Sequence, residues 1–159
     1  MPGNSAVVNV VVAGLGGQGV LKASGILADT AFRAGLDVKK SEIHGMSQRG
    51  GSVSSDVRFG ERVFSPMVPT GEADFLVVLA PSQVEVARPM LKAGGTLIEP
   101  GLIDETRLAN KKSLNVALLG ALARHLDLAD NLWQAAIRAA LPEKLHAANL
   151  QAFAIGKSP

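Results

Sequence analysis

Residues 44 to 51 read His-Gly-Met-Ser-Gln-Arg-Gly-Gly and place an imidazole, a hydroxyl, an amide and a guanidinium within eight consecutive positions. Side chains of these types can hold an anion, relay a proton or stitch a loop together. Glycine at 45, 50 and 51 lets the backbone turn tightly or approach another group closely. A second glycine-rich turn lies upstream, Gly14-Leu15-Gly16-Gly17-Gln18-Gly19, with the spacing G-x-G-x-x-G. Where such a turn opens a helix, its backbone N–H groups can bind an anion. The two stretches together point to one site on an α/β scaffold.

Several chemistries fit poorly. Ser47 beside His44 is no nucleophile pair, because the strand-to-helix elbow G-x-S-x-G is absent and Glu42 is the sole evident carboxylate to orient the imidazole. His125 and His146 stand in the C-terminal helical pattern without an H-E-x-x-H spacing, and read as partly exposed helix residues. Arg49 has two readings: it bonds within its own loop, or it holds a carboxylate or phosphate of a ligand or a partner chain. The glycine turn has three: close packing of a strand on a helix, binding of a phosphate or nucleotide, or a subunit contact. A dinucleotide site also wants an acid after the second strand, at ~20 residues. Glu42 follows Gly14 by 28 residues and has Lys39 and Lys40 beside it.

The elements that must position these loops follow from periodicity. Residues 7–13 are β-branched and almost continuously apolar, as in a strand buried on both faces. Residues 20–34 carry apolar side chains at helical spacing, and Gly35 is a natural stop. Residues 36–43 predict a second strand, near an edge or cleft because Lys39, Lys40 and Glu42 are polar. Val53, Val57 and Phe59 alternate with polar residues, a half-exposed strand. Gly60-Glu61 predicts a turn into a short returning strand over residues 62–65, a hairpin inserted in the βαβ series. Residues 74–80 predict a buried strand. Pro81-Ser82 opens a helix to about residue 92, interrupted near Pro89 and ended by Gly94-Gly95. A short strand over residues 96–99 follows. Helices are predicted over residues 113–126 and 130–141, with Ser113 and Asp130 as N-caps, and from Pro142 to about residue 154.

The composition sets bounds. A length of 159 residues suits a single domain over residues 1–159, and 47% hydrophobic with 19% charged residues is globular. Cysteine is absent, which excludes disulfides, thiolate metal sites and iron–sulfur ligation by this chain. The formal charge of +2 includes no basic run of the kind nucleic acid requires. No apolar run approaches the ~20 residues of a membrane span, and the N-terminal residues lack the order of a signal peptide, so a cytoplasmic location is expected.

Taken in order, Gly14-Leu15-Gly16-Gly17-Gln18-Gly19-Val20, then Glu42-Ile43-His44-Gly45-Met46-Ser47-Gln48-Arg49-Gly50-Gly51-Ser52-Val53, then Gly71-Glu72-Ala73-Asp74 resemble the gamma subunit of the pyruvate/2-oxoacid:ferredoxin oxidoreductases, including the indolepyruvate oxidoreductase small subunit. Asn115, Leu119-Gly120-Ala121-Leu122, Asn149 and Ala152-Phe153 are similar to that family as well. One departure stands out: residues 100–114 connect a strand to Asn115 where the family usually carries a longer segment.

The resemblance implies a Rossmann-like three-layer sandwich with a mostly parallel sheet, an inserted β-hairpin and C-terminal helices. It implies a noncatalytic subunit of a heteromeric enzyme that oxidatively decarboxylates a 2-oxoacid to an acyl-CoA. Thiamine diphosphate, Mg and iron–sulfur clusters would reside in partners: thiamine-binding and pyrimidine-domain subunits and a ferredoxin-like subunit. CoA would be a substrate. The residues expected to line the shared cleft are Gly14, Gly16, Gly17, Gln18, Gly19, His44, Gly45, Met46, Ser47, Gln48, Arg49 and Gly50, with no catalytic or metal residue among them. The rival reading is a free-standing Rossmann-like protein that binds NAD(P) or flavin.

Overall fold

The computed structural model describes residues 6–44 and 51–158. Its centre is a five-stranded sheet in the order β2-β3-β1-β4-β5. The strands are β1 (Val7–Leu15), β2 (Asp37–His44), β3 (Ser52–Gly60), β4 (Ala73–Val78) and β5 (Leu91–Ile98). β1 pairs parallel with β4, and β4 with β5; β3 is antiparallel to both β1 and β2. Four strands therefore run one way and β3 alone runs against them. The expected mostly parallel sheet holds for strand direction, while the ladders divide evenly between the two kinds.

The inserted hairpin is present but sits elsewhere than the sequence predicts. Its arms are β2 and β3, joined through residues 45–51, with Asp37 opposite Gly60 and His44 opposite Val53. No returning strand forms over residues 62–65. That segment becomes a strap held across the sheet by strand side chains. The Asp37 carboxylate accepts from the Val63 N–H at 2.8 Å, and the Asp56 carboxylate from the Val68 N–H at 2.9 Å. Arg58 donates to the Ser65 carbonyl at 2.8 Å. Two side-chain acceptors and one donor replace the ladder that a strand partner would have offered.

Alternation along each strand assigns the two sheet faces. One face presents Val10, Val12, Val57, Phe59, Val77 and Ile98, all in the main core. It is covered two helices deep. α1 (Val20–Arg33) and α3 (Leu114–Ala123) join this core, together with α4 (Asp130–Ala140) and α5 (His146–Lys157). α3 is buried from Asn115 to Ala123, which requires a helix apolar on every side. Gly120 and Gly156 let α3 and α5 touch backbone to backbone. A Cβ on Gly120 would overlap the Phe153 carbonyl oxygen, and one on Gly156 that of Ala117. Trp133 of α4 is fully buried, its ring 5.3 Å from that of Phe153.

The other face has a smaller core of Val11, Leu76, Val78 and Val84, with Val68 from the strap. Its helical layer is thin. Residues 81–90 form two 3-10 turns around the four-residue α2 (Val84–Ala87). The single long helix predicted over residues 81–92 is thereby corrected, because β5 already begins at Leu91, ahead of Gly94-Gly95. Ser113 holds the predicted N-cap position of α3 without a side-chain cap bond, and the predicted Asp130 cap is corrected to Ala129. The Ser113 hydroxyl donates back to the Asn110 carbonyl at 2.5 Å, and Asp130 lies within α4, where it pairs with Lys157. Residues 100–114 contain three short 3-10 turns. Among the described residues, no helix is long and apolar enough to cross a membrane.

Candidate functional site at the switch point of the sheet

After β1 the chain passes to one side of that strand through α1, β2 and β3, and then to the other through β4. The carboxyl end of β1 beside β4 is thus a topological switch point, the place where open α/β sheets form clefts. The glycine turn sits there. Gly14 and Leu15 end β1, and Gly17 and Gly19 have φ of 88° and 86°. Gly19 is the residue before α1, in a left-handed conformation with no side-chain cap, and no acid follows in the first turn. The first N–H groups of α1 therefore open onto a surface without a negative side chain to occupy them.

The turn is braced from three directions. The Gln18 side chain folds back to accept from the Leu15 N–H at 2.7 Å. Asn115, at the start of α3, donates through Nδ2 to the Gly19 carbonyl at 3.2 Å, while its Oδ1 accepts from Val116 at 2.9 Å. The Gly16 N–H donates to the Gly51 carbonyl at 3.0 Å. Ser52 then donates to Gln83 at 2.6 Å, which ties the β3 end of the hairpin to the turn after β4.

The sheet thus brings the stems of both sequence motifs to one end. Gly14, Gly16, Gly17, Gln18 and Gly19 form the turn, and His44 ends β2 opposite Val53. Gly45, Met46, Ser47, Gln48, Arg49 and Gly50, with the side chain of His44, lie outside the described residues. His125 and His146 stay apart from this end. His125 is exposed, its ring 5.7 Å from that of Phe75, and His146 Nε2 contacts the Leu141 carbonyl oxygen at 2.8 Å.

Beside the turn is a pocket of about 410 Å³ whose polar lining includes Gln18, Lys22, Lys111, Lys112 and Asn115. Sequence reasoning missed the lysines here. Lys111 and Lys112 stand four and three positions before Asn115, but only the fold carries the start of α3 to the start of α1. The Lys22 ammonium donates to the Ala140 carbonyl at 3.0 Å, which leaves Lys111, Lys112 and the uncapped N–H groups of α1 as the cationic side of a pocket suited to an anion.

Two cofactor chemistries can be tested on these residues. Iron–sulfur ligation fails because the chain has no cysteine. Among the described residues no group of three or more His, Asp or Glu could hold a metal ion. A dinucleotide fits badly. In the usual Rossmann arrangement the second strand adjoins the first and its terminal acid reaches the ribose. Here β3 intervenes, so Glu42 on β2 is set back from β1 by an added strand spacing of about 4.8 Å. Glu42 also pairs with Lys40 at 2.6 Å. Three N–H groups of the turn, those of Leu15, Gly16 and Gln18, are already bonded within the protein.

Comparison with known proteins agrees with this geometry. Residues 9–100 match the family model described as pyruvate ferredoxin/flavodoxin oxidoreductase. The indolepyruvate oxidoreductase subunit IorB of Thermococcus kodakarensis is 35% identical over 190 residues, covering 93% of each chain. The pyruvate/ketoisovalerate oxidoreductases common subunit gamma of the same organism is 31% identical, covering 72% of this chain and 76% of its own. Among solved structures, a keto/oxoacid ferredoxin oxidoreductase gamma subunit from Geobacter sulfurreducens superposes with a TM-score of 0.80 at 22% identity, covering 94% of this chain and 95% of its own. The 2-oxoglutarate:ferredoxin oxidoreductase of Magnetococcus marinus superposes at 0.83 and 20% identity; 96% of this chain is covered by 30% of that longer one. The two solved structures share the fold, and the sequence matches go further: this chain belongs to the pyruvate ferredoxin/flavodoxin oxidoreductase family, among its gamma-type subunits.

Proposed function

We propose that the chain is the noncatalytic gamma-type subunit of a heteromeric 2-oxoacid:acceptor oxidoreductase, and that its switch-point end completes a cleft whose cofactors other subunits supply. The carrying observation is the Gly16–Gly51 hydrogen bond, which fixes the glycine turn against the stem of the 44–51 loop beside a lysine-lined pocket. Such an end can bind and orient an anionic reactant. It offers no thiolate, and among the described residues no cluster that could hold a metal. Thiamine diphosphate with Mg would supply the decarboxylation chemistry, and iron–sulfur clusters the electron path, both in partner chains.

In this reading the pocket edged by Lys111 and Lys112 takes phosphate groups of CoA. Gln18 and Asn115 hold the turn in the shape that exposes the first N–H groups of α1. His44, Gln48 and Arg49 supply polar contacts at the mouth of the cleft. The 2-oxoacid itself is selected elsewhere: one relative is named as a gamma subunit common to pyruvate and ketoisovalerate oxidoreductases.

The test is co-expression with the neighbouring genes, followed by purification and cofactor analysis. A complex carrying thiamine diphosphate and iron, with CoA-dependent dye reduction by a 2-oxoacid, is the expected result. A lone monomer that binds NAD(P) or flavin, and that lends no 2-oxoacid activity to its neighbours, would sink the reading.

A further inference from the structure

A concavity of about 870 Å³ lies at the end opposite the glycine turn. It is where the main core runs out. Phe59 and Leu128 are buried beneath it, and Val8, Leu36, Phe75 and Leu126 are packed against the core but only half covered. No helix or strap closes this end among the described residues, so apolar side chains from β1, β3, β4 and the segments after α1 and α3 form an open floor.

The charged groups around that floor are unbalanced. Lys92 is the one lysine or arginine among the described lining residues, and it is taken: its ammonium lies 2.6 Å from Asp74, whose second oxygen accepts from the Asn9 N–H at 2.8 Å. Glu61 and Asp127 are exposed on the lining and make no ion pair or side-chain hydrogen bond among the described residues. The lysines of the glycine-turn pocket gather at the far end of the sheet. An apolar floor edged by two uncompensated carboxylates is complementary to an apolar segment that carries lysine or arginine.

We propose that this groove is a docking surface for a basic, apolar segment of a partner polypeptide in the oxidoreductase complex. The inference rests on the subunit reading above and adds to it a second face, so that partners are engaged at both ends of the sheet. Burial of the half-covered floor supplies the attraction, and Glu61 and Asp127 select the charge of the occupant.

The experiment uses the full chain, tagged and co-expressed with its neighbouring oxidoreductase subunits. The double variant Glu61→Lys, Asp127→Lys changes two exposed positions, so its thermal midpoint should match the parent. Recovery of partner subunits should fall about tenfold at low salt. In the parent complex, recovery should decline as salt rises, and amide exchange at residues 91–96 and 124–128 should slow relative to the free chain. Full partner recovery by the double variant with unchanged exchange at those residues would overturn the groove and leave the subunit reading standing. A parent chain that recovers no subunit would overturn both. Self-association of the isolated chain with protection at these residues would replace the partner by a second copy and so refute the proposal as stated.

Discussion

Gly120 of α3 and Gly156 of α5 lie reciprocally against each other's helix, each with its bare α-carbon at the partner's backbone. An added Cβ on Gly120 would stand 2.9 Å from the Lys157 nitrogen, and one on Gly156 would stand 3.0 Å from that of Ala121. Neither neighbour is the end of a flexible side chain, so the helices themselves would have to part. Gly120→Ala and Gly156→Ala are each expected to cost about 3 kcal/mol, although alanine is the better helix former. Urea unfolding of the two single variants checks this. A gain in stability from either would show that the helices do not cross so closely.

Ser55 offers a change of opposite sign. Its side chain is fully buried and its hydroxyl has no hydrogen-bond partner among the described residues. Removal of an unsatisfied buried hydroxyl should help, so Ser55→Ala is expected to stabilise by roughly 1 kcal/mol. A loss of similar size by denaturant titration would show that the hydroxyl is bonded after all.

The strap over residues 61–72 gives a dependence on pH in two directions. Burial pushes the Asp56 carboxyl above its ordinary 3.8, against the pull of the Val68 N–H and the Arg58 charge. The Val63 N–H, with smaller help from Lys39, holds that of Asp37 below the same value. A raised folded value means that Asp56 favours the fold most in acid, and that its contribution falls as pH climbs through and above 3.8. A lowered one means that Asp37 contributes above 3.8 and loses its contribution as pH falls below it. Asp56→Asn should therefore gain stability relative to the parent between pH 3 and pH 7, and Asp37→Asn should lose. Thermal midpoints across that range measure both slopes, and two slopes of the same sign would contradict the assignment.

The lysine pocket carries the functional prediction. In an assembled complex, Lys111→Glu with Lys112→Glu should raise KM for CoA about tenfold, about 1.4 kcal/mol, with kcat nearly unchanged. The effect should shrink as salt rises. Steady-state kinetics at two ionic strengths separates this from a scaffold role, which would lower the yield of complex and leave KM alone.

Much of the scaffold was legible because periodicity reports burial. The β1 strand, the α1 helix with its Gly35 stop, and the polar strand at the sheet edge follow directly from which side chains meet the core. The strap was not legible, because Gly60-Glu61 carries a turn signal and what replaced the strand was a set of contacts from Asp37, Asp56 and Arg58, distant in sequence. The long helix over 81–92 failed for a related reason: β5 needs residues 91–98 to pair with β4, and tertiary pairing outweighs local propensity. At the candidate site, the glycine turn and the hairpin stem were visible as motifs. The lysines were not, since their meeting depends on α3 docking against α1.

The reversed strand β3 is the shared neighbour of β1 and β2, and its inner face puts Val57 and Phe59 in the core while its outer face carries Asp56 and Arg58. A slip of one residue would exchange those faces, drive the Arg58 guanidinium into the main core and take the Asp56 carboxylate away from the Val68 N–H. The two points from which residues 45–51 depart are thus fixed by the core. Substitutions at positions 45–50 are therefore expected to change what the cleft receives while its base on the sheet stays in place.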